Sequence, residues 1–496
     1  MTGPLRLPAR VRRAARPSGT PGDRWSALYA VAIVTLVIGF PLVRSGAHAL
    51  THPEVVRFLS DPPYGSPSLL LTVAVVSGIV VGGTIGPAVL RPFLTVHLAG
   101  NHLSRARTLL RPFLLAAAGV TAASVLLMGV VAWSLRLSIG LPFGSILVQL
   151  GVSACAGWVV AVAWLCGQSL SAPTRAISAV VAAVIGVLLP PVFPHGLAAD
   201  TGLDQPSLIG HGLAAWGAVA VLSAALVPWL LTRLRGPELL DHAQRRDAAV
   251  AAGSVGEVGQ ALATFRPLPW CGRRIETIRE GLPFPLAVAY RDVIGAMRTP
   301  ARGATALAGT LTTALLLVSA FALPVELAWV SATAGGFLGF ASFGAMSDGF
   351  RSTVEGAGRP RLFGVSSASL FLAHSVMPAS VAVLSGVVAS VVGAASGIPF
   401  VAGVTACVCA GLLVLTRAAD SARGPLPVRL LTPIPSPLGD AAGVRVVMWQ
   451  IEGTVVSICV TVGFVYAARF TPVALAAAVV VAVMLVLWTA RRLRRG

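Results

Sequence analysis

The chain alternates long apolar runs with short polar breaks that carry arginine, and the runs have the length of membrane spans. About 20 apolar residues in a helix cross roughly 30 Å of hydrocarbon. Twelve segments fit: 25–44, 68–90, 112–134, 145–166, 176–193, 209–232, 303–323, 327–347, 363–392, 399–417, 446–466 and 472–490. The run 176–193 closes in Pro190-Pro191, and 363–392 is long enough to include a re-entrant piece. The pattern predicts an all-α fold, a polytopic transmembrane helical bundle of about twelve spans in two six-helix halves. A basic tail (1–24) precedes the first half (25–232); a linker (233–302) leads to the second half (303–490) and a last basic tail (491–496).

The linker is the one sizeable hydrophilic stretch. Residues 238–262 read as a polar helix interrupted at Gly253 and Gly256. Residues 285–300 read as an amphipathic helix. Leu286, Tyr290, Val293, Ile294 and Met297 share one face, and Arg291 and Arg298 share the other. That pattern suits an interfacial helix lying in the cytoplasmic membrane surface and leading into the seventh span; a packed juxtamembrane helix is the plainer alternative.

Composition removes the soluble alternatives. Hydrophobic residues make up 56 % of the 496 and charged residues 11 %, against about 25 % charged in a soluble domain. A soluble enzyme, a secreted disulfide scaffold and a disordered protein are excluded. All 37 basic residues are arginine. With the N-terminus in the cytoplasm, 33 of them fall on the inner side and only Arg44, Arg57, Arg136 and Arg469 on the outer. This asymmetry follows the positive-inside rule and predicts an N-in, C-in protein of the cell (inner) membrane. It also explains the net charge of +19 as a collar beside anionic lipid headgroups, so nucleic acid is not needed as a partner. Near the start, Ala47-His48-Ala49 mimics a signal-peptide site. The apolar run before it is longer than a usual h-region, which predicts an uncleaved first span.

The chain has no lysine. A P-loop places a lysine ammonium on the β- and γ-phosphates, so this chain carries no Walker A motif, and no lysine for a Schiff base. It is read as a non-enzyme without a cofactor of its own; any ATP would be bound by a partner chain. Each half has its longer inner loop between its second and third spans, at 91–111 and 347–361. Such repeats are common in transporter folds. Here the repeat is one of layout, without identity between the halves.

Three short motifs resemble the permeases of type-2 ABC exporters, with two six-helix units fused as in actinobacterial permease-like proteins. One is Arg291-Asp292 followed by Arg298 and Pro300 ahead of a six-span unit. The second is Gly86-Pro87 followed by a basic loop from Arg105 to Arg111. The third is the segment 430–440 before the penultimate span, with Trp449 at its start. The resemblance implies an exporter permease that moves substrate by alternating access and is driven by a separate ABC ATPase. It implies that the loops at 97–111 and 348–361 touch that ATPase, which points to His102, Arg105, Arg107, Arg111, Asp348, Arg351 and Glu355 as coupling residues. The fused chain would work as a monomer with two ATPases or self-associate as a dimer. The first half departs from the pattern, because only a Pro/Arg-rich tail precedes its first span.

Other residues bear on a pathway or gate. Glu452 is the one carboxylate placed well inside a span, about 10 Å from its inner end at 1.5 Å per residue. A charge there is costly, and structural, coupling and proton-site roles are all open to it. His374 lies mid-span four residues before Pro378, which lacks the N–H that would bond the carbonyl of residue 374. It is a core histidine at a kink or a contact for substrate or a gate. The six cysteines show no metal-ligand spacing and read as small apolar fillers. Gly335 and Gly339 form a G-x-x-x-G that suits close helix packing. The outer loops hold Glu54, Asp61, Asp200 and Asp204, with no catalytic motif among them. Two rival readings stand beside the permease. A secondary transporter of the major-facilitator kind is echoed by Gly344-x-x-x-Asp348. A non-transporting membrane component or lipid-modifying enzyme is the other.

Overall fold

The computed structural model describes residues 50–53, 55–56, 66–99, 104–188, 206–254, 257–266, 269–272, 274–277, 279–356, 364–424, 426–432, 435–436, 439–440 and 442–494. Within them the chain is helical. A two-residue pairing of Pro435–Ser436 with Gly439–Asp440 is the only extended element among the described residues. The long helices are α1 (Ser66–Gly82), α2 (Arg105–Ile139), α3 (Phe143–Ser169), α4 (Ala172–Leu188), α5 (Pro206–Arg233) and α6 (Gly236–Ser254). After these come α7 (Phe284–Arg298), α8 (Pro300–Ser319), α9 (Val325–Gly344), α10 (Asp348–Glu355), α11 (Ser367–Ala395), α12 (Phe400–Ser421), α13 (Ala442–Phe470) and α14 (Ala477–Leu493).

Local chemistry sets many of the ends. Pro142, Pro283, Pro324 and Pro399 stand at the position before α3, α7, α9 and α12. Proline's fixed φ prepares the first turn, and its missing N–H costs nothing there. Ser366 caps α11 by accepting the Ser369 N–H at 3.0 Å, and Gly140 ends α2 in the left-handed region at φ 70°.

Among the described residues nine helices are long and apolar enough to cross a membrane, and two shorter apolar helices cover Leu70–Gly82 and Ala172–Gly186. The chain is thus a multi-pass helical membrane protein. Eleven of the twelve sequence-predicted spans coincide with these helices; the twelfth, 25–44, lies outside the described residues. The predicted span 68–90 is the clearest difference. An apolarity window runs through Ile85 to Leu90, but the helix stops at Gly82, where Gly83, Gly86 and Pro87 turn the chain. The segment 363–392 is not re-entrant: α11 runs unbroken through Pro378. The predicted loop element at 97–111 is also different. A π-turn covers Thr95–Ala99, and Arg105, Arg107 and Arg111 belong to the first turns of the 35-residue α2.

The chain forms two compact units. One comprises Met1–Ala251 with Ala261–Arg266, the other Ala252–Gln260 with Pro267–Gly496. In the first unit α3 is central, packing on α1, α2 and α5. Its backbone meets that of α1 at Gly82 and Gly167, where a Cβ on Gly82 would come within 2.7 Å of the Gln168 nitrogen. In the second unit α12 is central, packing on α8, α9, α11, α13 and α14, and 61 % of its apolar window is buried. Each unit thus centres on one helix, α3 in the first and α12 in the second. Small residues permit this closeness where no hydrophobic effect drives helices together.

Candidate functional site: a string of charges at one end of the second unit

The polar chemistry of the second unit gathers at one end, where α8, α11 and α13 begin and α9, α12 and α14 finish. The short helix α10 sits in this layer and is fixed on several sides. Asp348 accepts two N–H groups from Arg302 at the start of α8, at 2.5 and 3.0 Å. Gly349 lies against the imidazole of His374 on α11, so closely that a Cβ would overlap the ring. Phe350 is buried and meets Phe371 of α11 with ring centroids 4.6 Å apart. Ser347, just before α10, accepts from Arg417 Nε of α12 at 3.3 Å. The outer face of α10 carries the exposed Ser352 and Glu355.

From Arg417 the charges continue across three helices. Arg417 stacks on Phe340 at 4.6 Å and pairs with Asp420 at 3.1 Å. Asp420 also pairs with Arg423, which stacks on Trp449 at 4.5 Å and donates to the Trp449 carbonyl. Glu452 accepts from Arg423 at 3.4 Å and from Arg492 at 2.9 Å. Arg492 stacks on Trp488 at 3.9 Å and donates to the Ala419 carbonyl at 2.9 Å. Every carboxylate in the string has a guanidinium partner, as burial demands of charges. Burial pushes the Arg423 guanidinium down from its usual value, and Asp420 and Glu452 push it back. Two glycines make room: a Cβ on Gly344 would stand 3.0 Å from Arg417 Nη2, and one on Gly453 2.6 Å from Asp420 Oδ1.

Two sequence candidates change character in this setting. Glu452 lies ten residues into α13 but is bonded by Arg492, in the last turn of α14, and by Arg423, just beyond α12. It is therefore level with the ends of its neighbours, and α13 projects past them. His374 is not mid-span; it is in the second turn of α11. It is 2 % exposed, and its Nδ1 lies 2.6 Å from Asp292 Oδ2 of α7. Asp292 has Arg291 at 3.9 Å on its other side. Pro378 is buried within α11.

The remaining candidates are spread out. Arg105 donates to the Leu234 carbonyl at 2.5 Å, beyond the end of α5. Arg107 and Arg111 are exposed on α2, Arg351 is half-buried on α10, and His102 lies outside the described residues. α7 exposes Leu286, Val293 and Met297 but buries Ile294, so the apolar face read from sequence is divided between solvent side and bundle. No group of three His, Cys, Asp or Glu is gathered as a metal site among the described residues.

The first unit has a smaller polar node. Buried His242 of α6 faces the Gly83 carbonyl with Nε2 at 3.2 Å and the Gln168 amide with Nδ1 at 3.4 Å. Gln168 Oε1 accepts from the Ala88 N–H at 3.1 Å. Burial pushes the His242 pKa down; the Gly83 bond and Asp241 oppose this, while Arg245 and Arg175 add to it.

Sequence reasoning missed Arg302, Arg417, Asp420, Arg423 and Arg492. One signal was present: Arg417-x-x-Asp420-x-x-Arg423 puts alternating charge at i, i+3 and i+6 along one helix edge. The Asp292–His374 pair spans 82 residues and leaves no local signature. In comparison with known proteins, no family model, curated protein or solved structure matches the chain.

Proposed function

We propose that the chain is the permease subunit of an ABC exporter, moving its substrate by alternating access under the drive of a separate ATPase. The observation that carries the reading is α10. It is a two-turn helix between a second and a third span, with one face free and the other fixed to three spans. Arg302–Asp348 ties it to α8, Gly349 and Phe350 to α11, and Ser347–Arg417 to α12. A push on its free face would move three helices together, because close-packed elements shift as bodies rather than deform. In this reading the arginine-bearing end faces the cytoplasm, and Ser352 and Glu355 meet the ATPase. Arg107 and Arg111, exposed at the start of α2, would serve the first unit. The absence of lysine assigns nucleotide chemistry to the partner.

Affinity purification of the full chain from its native membrane in mild detergent, with mass spectrometry of the eluate, tests this. The reading expects a stoichiometric chain bearing a Walker A motif. A chain that elutes alone and monodisperse would overturn it and favour a secondary transporter.

A further inference from the structure

The string from Arg417 to Arg492 is out of balance, and its imbalance opens on one side. Three guanidinium groups, Arg417, Arg423 and Arg492, face two carboxylates, Asp420 and Glu452. Arg417, Asp420 and Arg423 are nearly enclosed, whereas the Glu452 side chain is 36 % exposed. Glu452 is therefore the outlet of a buried array with cation to spare. It also holds its place by side-chain bonds alone, whereas both guanidiniums are fixed independently of it. Arg423 lies on the Trp449 ring and bonds the Trp449 carbonyl and Asp420; Arg492 lies on the Trp488 ring and bonds the Ala419 carbonyl. Removing Glu452 would leave two oriented donors waiting.

The surroundings specify the chemistry of a replacement. On α13, Val455 and Cys459 stand exposed one and two turns deeper than Glu452, on the helix face that also carries it. The outlet thus lies at the polar end of an apolar stripe, level with the last turns of α12 and α14. Tryptophan favours this boundary between hydrocarbon and water. A phosphate or carboxylate at the top with hydrocarbon below matches both parts, and guanidinium forks bind such oxyanions better than any other side chain.

We infer that Arg423 and Arg492, framed by Trp449 and Trp488, form a binding site for the headgroup of an anionic phospholipid, with the Glu452 carboxylate as a displaceable stand-in and the acyl chain along Val455 and Cys459. The site stands independently of the exporter reading.

Native mass spectrometry of the detergent-purified full chain tests it, with phosphatidylglycerol, phosphatidylcholine and inorganic phosphate as probes. Phosphatidylglycerol should be retained in preference to phosphatidylcholine, and millimolar inorganic phosphate should not displace it. Glu452→Gln removes the competing charge with little change in shape and should raise phosphatidylglycerol retention about tenfold. Arg492→Gln should lower it about tenfold, while Arg491→Gln and Arg494→Gln, on exposed arginines beside it, should leave it near the unsubstituted level. Equal retention of the two lipids overturns the site, as does an unchanged or weakened Glu452→Gln variant. Displacement by inorganic phosphate would show an anion site without lipid selectivity, and equal losses from all three arginine variants would show a diffuse collar; either outcome overturns it too. If Arg492→Gln fails to fold, Glu452→Gln decides alone, since its expected sign is opposite to that of general damage.

Discussion

Gly349→Ala should destabilise the protein, although alanine is the better helix former. In an ordinary helix interior the change gains about 0.5–1 kcal/mol. At Gly349 a Cβ would overlap the imidazole of His374, reaching within 2.6 Å of Cε1. The ring cannot yield freely, because it is 2 % exposed and held by Asp292 at 2.6 Å. Either that bond breaks, at about 1.5–3 kcal/mol for a hydrogen bond to a charged group, or α10 moves off α11. Set against the propensity gain, the net loss is about 1–2 kcal/mol, or about 2–8 °C in Tm for a unit of this size. Thermal unfolding in detergent micelles reads it. Gly411→Ala, on α12 with nothing within 4 Å of its Cβ, is the matched control and should hold or raise Tm. In a His374→Ala background the obstructing ring is gone, so adding Gly349→Ala should cost nothing further. An undiminished loss in that background, or a single variant as stable as the control, would refute the contact and with it the anchoring of α10.

Three further outcomes follow from named contacts. His242 is bonded as the neutral ring, donating from Nε2 to Gly83 and accepting from Gln168 at Nδ1. Burial lowers its pKa below the ordinary 6.5, so an undocked α6 takes up a proton that the docked helix refuses. Docking should therefore be pH-independent well above 6.5 and weaken as pH falls below it; the protection of amides across 236–254, taken relative to their intrinsic exchange rates at each pH, should fall on acidification, and no longer respond in His242→Gln. Gly167→Leu drives a side chain into the α1 backbone at Ile79, and should abolish a monodisperse elution profile, whereas Gly119→Leu, facing open space, should not. Asp348→Asn breaks the charge pair with Arg302, which is partly exposed and worth about 1 kcal/mol or less. Under the exporter reading it should uncouple ATP hydrolysis from transport with little change in Tm; full coupling would deny α10 its role.

The membrane character and most helices were legible in the sequence because both depend on local apolarity. Eleven predicted spans correspond to helices on that basis. The errors arose where one backbone-specific residue outweighs an average. Gly83, Gly86 and Pro87 end α1 inside an apolar window; Pro378 is the reverse case, where α11 continues through a residue able to break a helix. The candidate site was legible only in pieces. Asp348, His374 and Glu452 were visible as charge or polarity in unusual places. Their partners Arg302, Asp292 and Arg492 lie 46, 82 and 40 residues away, and no periodicity connects them. Depth was misjudged for the same reason: Glu452 counts as deep along its own helix, while the level of the bundle's edge is set by where α12 and α14 stop.

Position-resolved crosslinking in the native membrane tests the central claim most directly. A photoreactive cysteine probe at Ser352, on the free face of α10, should capture the ABC ATPase, and the same probe at Thr471, exposed at the opposite end of α13, should capture none. Capture from Thr471 and not Ser352 would invert the orientation, and an ATPase captured from neither position would contradict the exporter reading itself.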